Sequence, residues 1–163
     1  MKKKILWLTF LVLAAGCWAQ AQWSSGGIAV IVNRSNSTES LSMAQLRKLM
    51  LGDVRNWPDK EAVTVVARES SSKVSQTVLS SVVRLSEAEY RRYIMNAEFR
   101  GDDAMTVQTA NSDLNAAKSV AASNGSIAFV EVGAVPAIAS LVKVVRVNGK
   151  LPGEAGYPLE GAK

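Results

Sequence analysis

The sequence predicts an α/β fold, a sheet covered on both faces by helices. Three observations carry that prediction. Short runs at Ile28–Val32, Val63–Arg68 and Ser126–Val130 are mostly apolar rather than alternating, as in strands buried on both faces. Segments with helical apolar spacing lie between these runs, the order expected when helices cover the two faces of a sheet. The chain has 163 residues, 48% hydrophobic and 20% charged, enough for one globular domain with a real core. It contains no internal repeat, no low-complexity linker and no second domain boundary.

The first residues read as a targeting segment. Met1–Lys4 is a basic start, Ile5–Ala15 is an apolar stretch about half the length that spans a bilayer, and Ala19-Gln20-Ala21 places small residues at a cleavage site. The expectation is a signal peptide over 1–21, a mature domain over 22–163 and export to the periplasm. A competing reading takes Ala14-Ala15-Gly16-Cys17 as a relaxed lipoprotein signal with Cys17 lipidated. Such signals usually place Leu where Ala14 stands, which favours the soluble product.

The mature chain opens with the buried strand Ile28–Val32 and a polar loop over Asn33–Ser40. Ser42 with Gln45 three residues later is a capping box, and Met43, Leu46, Leu49 and Met50 form the apolar face of the helix that follows. Gly52 ends it. Trp57-Pro58-Asp59 is a turn with a large apolar anchor. After the strand Val63–Arg68, a helical stripe runs through Val74, Val78 and Val82. Ser86 with Glu89 forms a second capping box, before a helix carrying Tyr90, Tyr93, Ile94 and Phe99 and ended by Gly101. Its Glu87, Glu89, Arg91 and Arg92 make a charged outer face, and its aromatics read as core. A short strand is expected over Met105–Val107. Asn111 or Ser112 then caps a helix over Asp113–Ser123, where Ala116, Ala117, Ala121 and Ala122 allow close packing. Asn124-Gly125 turns into the strand Ser126–Val130. The last strand, Leu141–Val147, ends at Asn148-Gly149, and the Gly- and Pro-rich tail reads as irregular.

The segment Val63–Val83 carries the chemistry. A strand ending in Arg68 turns through Ser70, Ser71 and Ser72 into a helix start. Free backbone N–H groups and the positive end of the helix dipole suit an anion there, and a guanidinium can grip an oxyanion with two parallel donors. The plainer alternative has Ser70 or Ser71 capping the helix and Arg68 as a solvated strand end. In α/β sheets, ligands collect at the carboxyl ends of strands, where this turn would lie.

These pieces, in order, resemble the phosphate-binding substrate proteins of bacterial ABC transporters, and in particular short, single-lobe relatives of them. The resemblance rests on I-A-V-I-V-N ending at Asn33, the helix through Gly52 followed by Trp57, the strand ending A-R-E-S-S-S, and Tyr90/Tyr93 followed by Phe99-Arg100-Gly101. It continues through G-S-I-A-F-V and V-N-G-K-L-P to Tyr157-Pro158-Leu159, so that it covers roughly residues 28–159. It implies a single lobe of a type II periplasmic-binding-protein-like fold, with a mixed, mostly parallel sheet flanked by helices. It also implies a phosphate or similar oxyanion held by Arg68 as the clamp and Ser72 as a hydroxyl donor, with Ser70 and Ser71 in the same turn. The chain departs from the family where an Asp is usual at Ser70, and where Gly-Thr is usual at Lys73 and Val74. Ser35, Ser37 and Thr38, in the loop after the first strand, are weaker candidates for added hydroxyls. About 140 mature residues make one lobe, so one wall of the usual two-lobed cleft would come from elsewhere.

Composition excludes several classes. With Lys2, Lys3 and Lys4 in the targeting segment, 16 Lys and Arg face 14 Asp and Glu, too even a balance for a nucleic-acid binder. The absence of His removes Ser-His-Asp and Cys-His catalysis and every His-ligated metal site. The single Cys allows no intrachain disulfide. Asp102-Asp103 reads as a solvated turn rather than a metal site. Neither a cofactor nor a catalytic group is expected. Two functions follow: binding of phosphate or a similar oxyanion as an accessory to an inner-membrane transporter, or a ligand-free periplasmic module that binds a protein partner, a lobe-supplying chain or a second copy across the exposed former cleft.

Overall fold

The computed structural model describes residues 26–99 and 106–160. The expected signal peptide with Cys17, residues Arg100 and Gly101, and the Asp102-Asp103 pair lie outside the described residues, as does the side chain of Phe99.

The strands are β1 (Ile28–Asn33), β2 (Ser40–Leu41), β3 (Thr64–Arg68), β4 (Thr106–Ala110), β5 (Ser126–Glu131) and β6 (Val142–Val147). The helices are α1 (Met43–Leu51), α2 (Lys73–Val78), α3 (Glu87–Phe99), α4 (Asp113–Ala122) and α5 (Val135–Ile138). Among the described residues the strands form one six-stranded sheet in the order β2-β6-β1-β5-β3-β4. Strand β3 runs parallel to β4 and β5, and β2 runs parallel to β6. Only β1 is reversed, antiparallel to both β5 and β6. The mixed, mostly parallel sheet that the resemblance implies is the one observed.

The apolar runs are continuous because each strand feeds two cores. In β1, Ile28, Val30 and Val32 face a core closed by α1 and α2, whereas Ala29 and Ile31 face one closed by α4 and α5. Strand β5 divides in the same way, with Ile127 and Phe129 against Ala128 and Val130. On the second face, small residues let α4 approach closely: Ala116 and Ala117 meet Ala29 and Ala128, all fully buried. Ala121 and Ala122, expected on that packing face, are exposed, since the helix turns them away from the sheet.

Local signals hold where a side chain satisfies a helix end. Ser42 and Gln45 form the expected capping box, and Gly52 closes α1 in the left-handed conformation at φ 76°. Ser112 caps α4. Ser86 and Glu89 bond reciprocally before α3. Helix α2 runs on into a π-helical turn, Leu79–Val83, closed by the Arg84 N–H donating to the Leu79 carbonyl at 2.7 Å. The Trp57 anchor is buried, and its indole N–H donates to the Gly125 carbonyl at 2.9 Å. The tail is irregular in backbone yet structural: Tyr157 and Leu159 are buried, the Tyr157 hydroxyl donates to the Ile28 carbonyl and the Ile28 N–H to the Leu159 carbonyl.

Candidate functional site

Strands β3, β4 and β5 are parallel, so their carboxyl ends lie at one end of the sheet, and Arg68 is paired in register with Ala110. The turns after β3 and β4 are therefore neighbours. Arg68 ends β3, the chain turns with the Ser72 N–H donating to the Glu69 carbonyl, and Ser72 caps α2 by accepting from the Ser75 N–H at 3.1 Å. Ser70 and Ser71 are exposed, Ser72 half-buried. Arg68, Ser70, Ser71 and Ser72 thus share one turn, as the sequence suggests, but the cap is Ser72 rather than Ser70 or Ser71, and Arg68 is not a solvated strand end.

The guanidinium is not open in the way a clamp would be. Its Nη1 is bonded to Asp113, the first residue of α4, in an ion pair whose side chains are only 12% and 17% exposed. Its Nη2 donates to the Asn111 carbonyl at 3.2 Å. Its Nε–H is buried and has no acceptor among the described residues. Burial holds the Asp113 carboxyl above the usual carboxylate range, despite the opposing pull of Arg68 and of the Glu131 N–H. Both terminal nitrogens expected to grip a ligand are therefore engaged by the β4–α4 turn. Asp113 is the partner of Arg68 that reading the sequence missed. Its signal was its place at a helix start, but only the adjacency of β3 and β4 brings it to Arg68.

Lys73 is exposed and borders a small hollow of about 90 Å³ with Gly26, Gly27, Thr77 and Glu131. The weaker candidates do not join the site. Because β1 is antiparallel, the loop with Ser35, Ser37 and Thr38 leaves at the start of β5, where the Ser35 hydroxyl bonds Asn124. That end of the sheet is roughly 15 Å from Arg68, the length of a five-residue strand. Asn36 in this loop is buried, and its carbonyl accepts from Lys143.

On the α2–α3 side of the turn lies a groove of about 490 Å³, bordered by Arg68, Glu69 and Ser70 and floored by Val78, Ile94, Val107 and Phe129 among others. Tyr90, read as core, lines it and donates its hydroxyl to the Met50 carbonyl at 2.8 Å. Burial and the neighbouring Tyr93 push the Tyr90 phenol up to about 12. Among the described residues no group of three acidic or Cys side chains could hold a metal, and no helix is long and apolar enough to cross a membrane.

Residues 21–157 match the family model of the PBP superfamily domain. No curated protein matches the chain. Among solved structures, an ABC-type phosphate transport receptor from Vibrio cholerae is 24% identical with a TM-score of 0.61, over 78% of this chain and 48% of that one. PstS from Borrelia burgdorferi is 12% identical with a TM-score of 0.66, over 83% and 55%. A phosphate-binding protein from Stenotrophomonas maltophilia is 16% identical with a TM-score of 0.56, over 78% and 40%. The chain spans about half the length of the first two, in keeping with a single lobe.

Proposed function

The chain belongs to the PBP superfamily, and on that premise we propose that it is an exported binding lobe that holds phosphate or a similar oxyanion at the turn Arg68–Ser72. One observation carries this reading. A guanidinium fixed at the carboxyl end of β3 shares a turn with three serines, one of which caps the next helix, in the fold of named phosphate receptors. The turn combines a charged donor with adaptable hydroxyls, the groups that recognise an oxyanion. The role is binding, not catalysis, and the partner is an inner-membrane uptake transporter, served from the periplasm after removal of the leader. With a single lobe the anion stays partly wet, so affinity is modest unless a second chain or a second copy covers it.

Calorimetric titration with phosphate at low salt, alongside Arg68→Ala and the double change Ser70→Ala/Ser71→Ala, tests this. Saturable heat that is lost with Arg68→Ala and weakened by the serine changes is expected. No heat up to millimolar phosphate in the folded wild type would remove the reading.

A second reading is favoured by the ion pair itself. Because Asp113 already answers Arg68, the lobe can stand without a ligand and instead meet a protein partner or a second copy across this end of the sheet. Sedimentation equilibrium separates the two: self-association unaffected by phosphate would favour the module.

A further inference from the structure

Strand β4 is an edge of the sheet: among the described residues it pairs with β3 and with no other strand. Its outward groups can be named. Arg68 and Ala110 are in register, and the Glu69 N–H donates to the Ala110 carbonyl at 3.3 Å. In an extended strand a residue directs its N–H and C=O to one side, and its chain neighbours direct theirs to the other. Ala110 and Gln108 therefore bond to β3, whereas the N–H and C=O groups of Val107 and Thr109 point to the open edge. A free row of this kind is a template for a further strand.

Proteins guard such edges with charge, proline or brevity. The opposite edge is guarded: β2 is only two residues long and follows Glu39, which pairs with Lys143 at 2.9 Å. Strand β4 is not. Its five residues, T-V-Q-T-A, include neither a charge nor a proline, and Thr106–Thr109 are all exposed. On the groove face beside it, Val107 and Met95 are 43% and 48% exposed. The charges nearest that face are already matched, Arg91 with Glu87 and Arg68 with Asp113.

We propose that β4 pairs with β4 of a second copy, antiparallel about a twofold axis at Gln108, joining two six-stranded sheets into one. Val107 of each copy then exchanges both backbone bonds with Thr109 of the other, the two residues whose groups face the edge. Both side chains line the groove face, so Val107 packs against Thr109 of the other copy, and the exposed Val107 and Met95 of both copies lie on one face. The axis sets Gln108 against itself. A charge there would repel its copy, whereas an amide both donates and accepts. The uncharged strand is thus complementary to itself, which is why a second copy is the fitting occupant. Both functional readings place their partner at the carboxyl end of the sheet; this contact runs along its side.

Sedimentation equilibrium over a range of protein concentrations tests this. The wild type is expected to dimerise in the micromolar range, as suits a small contact built on one strand pair. Gln108→Lys and Gln108→Glu, at an exposed position, are each expected to weaken the dimer about fivefold or more with an unchanged melting temperature. An equimolar mixture of the two should restore it, since the axis then sets Lys against Glu. Thr109→Pro removes an outward N–H while sparing the bonds to β3, and should abolish the dimer. A wild type that stays monomeric overturns the proposal and leaves the edge to a foreign strand. A dimer that ignores the Gln108 charges, that the mixture does not restore, or that survives Thr109→Pro also overturns it. The Gln108→Lys protein should titrate with phosphate as the wild type does, so this result stands apart from success or failure of the anion reading.

Discussion

If the turn Arg68–Ser72 holds an oxyanion, the bound anion must compete with Asp113. The two side chains are 12% and 17% exposed, so the pair is partly shielded from water. Unit charges about 4 Å apart attract by about 4 kcal/mol at an effective dielectric of ~20. The solvation both groups give up offsets much of this, leaving a net coupling of about 1–2 kcal/mol. Asp113→Asn removes the charge and keeps an acceptor of the same shape, so Arg68 stays in place but no longer answers a carboxylate. Phosphate affinity should then rise about 5- to 30-fold, since 1.4 kcal/mol is tenfold. The assay is calorimetry at low salt, with the wild type and Asp113→Asn compared at fixed pH. Acidification should act in the same direction. The folded pKa of Asp113 lies above its ordinary 3.8, so its protonated form is favoured in the fold. Its contribution to stability is full below that value and is lost as pH rises through the raised pKa. Lowering the pH through this window neutralises the competitor and frees Arg68, so the ratio of variant to wild-type affinity should shrink toward one. Unchanged or weaker phosphate binding by folded Asp113→Asn would refute the competition, and with it the placement of the anion on this guanidinium.

Three further outcomes follow. A Cβ on Gly125 would sit 1.9 Å from the Ala62 carbonyl oxygen, so Gly125→Ala must displace backbone beside the Trp57 anchor and should cost about 2–3 kcal/mol; an unchanged midpoint in urea would contradict that packing. Tyr90→Phe removes the bond to the Met50 carbonyl and should cost about 1 kcal/mol. In the wild type one phenol should titrate near 12 by ultraviolet absorbance and vanish in this variant; the stability it supplies is full below the ordinary 10.0 and is lost as pH rises through about 12. Ser72→Ala removes the cap of α2 and should cost about 1 kcal/mol in denaturant, whereas a fall in phosphate affinity beyond what Ser70→Ala causes would give the same hydroxyl a ligand role.

What could be read in the sequence was what depends on neighbours along the chain. The runs of β1, β3 and β5 are apolar because both faces are covered, and that needs no knowledge of strand order. The capping boxes at Ser42 and Ser86 are equally local. What could not be read depends on which strand lies beside which. The reversal of β1 sends Ser35, Ser37 and Thr38 to the far end of the sheet, although the chain alone places them after a strand like any other. The adjacency of β3 and β4 brings Asp113 to Arg68 across 45 residues. Strand β4 was legible only at its start, because as an edge its Thr106–Thr109 are exposed and lack an apolar run. The tail gave Gly and Pro signals for irregular backbone, which it has, but nothing local announces that Tyr157 and Leu159 return to close the core over β1.

The departure from the family's turn at Ser70 and the presence of Asp113 bear on each other. The relatives' pattern places an acid two residues after the Arg, and this chain places Ser there. A half-buried guanidinium without any counter-charge would be costly. Here the carboxylate comes from the neighbouring turn instead, at the start of α4, where the helix dipole also favours a negative charge. The substitution changes which of the Arg donors remain available. Nη1 and Nη2 are directed to the β4–α4 turn, and Nε is left on its own. An oxyanion gripped by two parallel donors draws on the first two. Asp113→Asn should therefore strengthen the anion, because it releases the Nη1 that now answers the carboxylate.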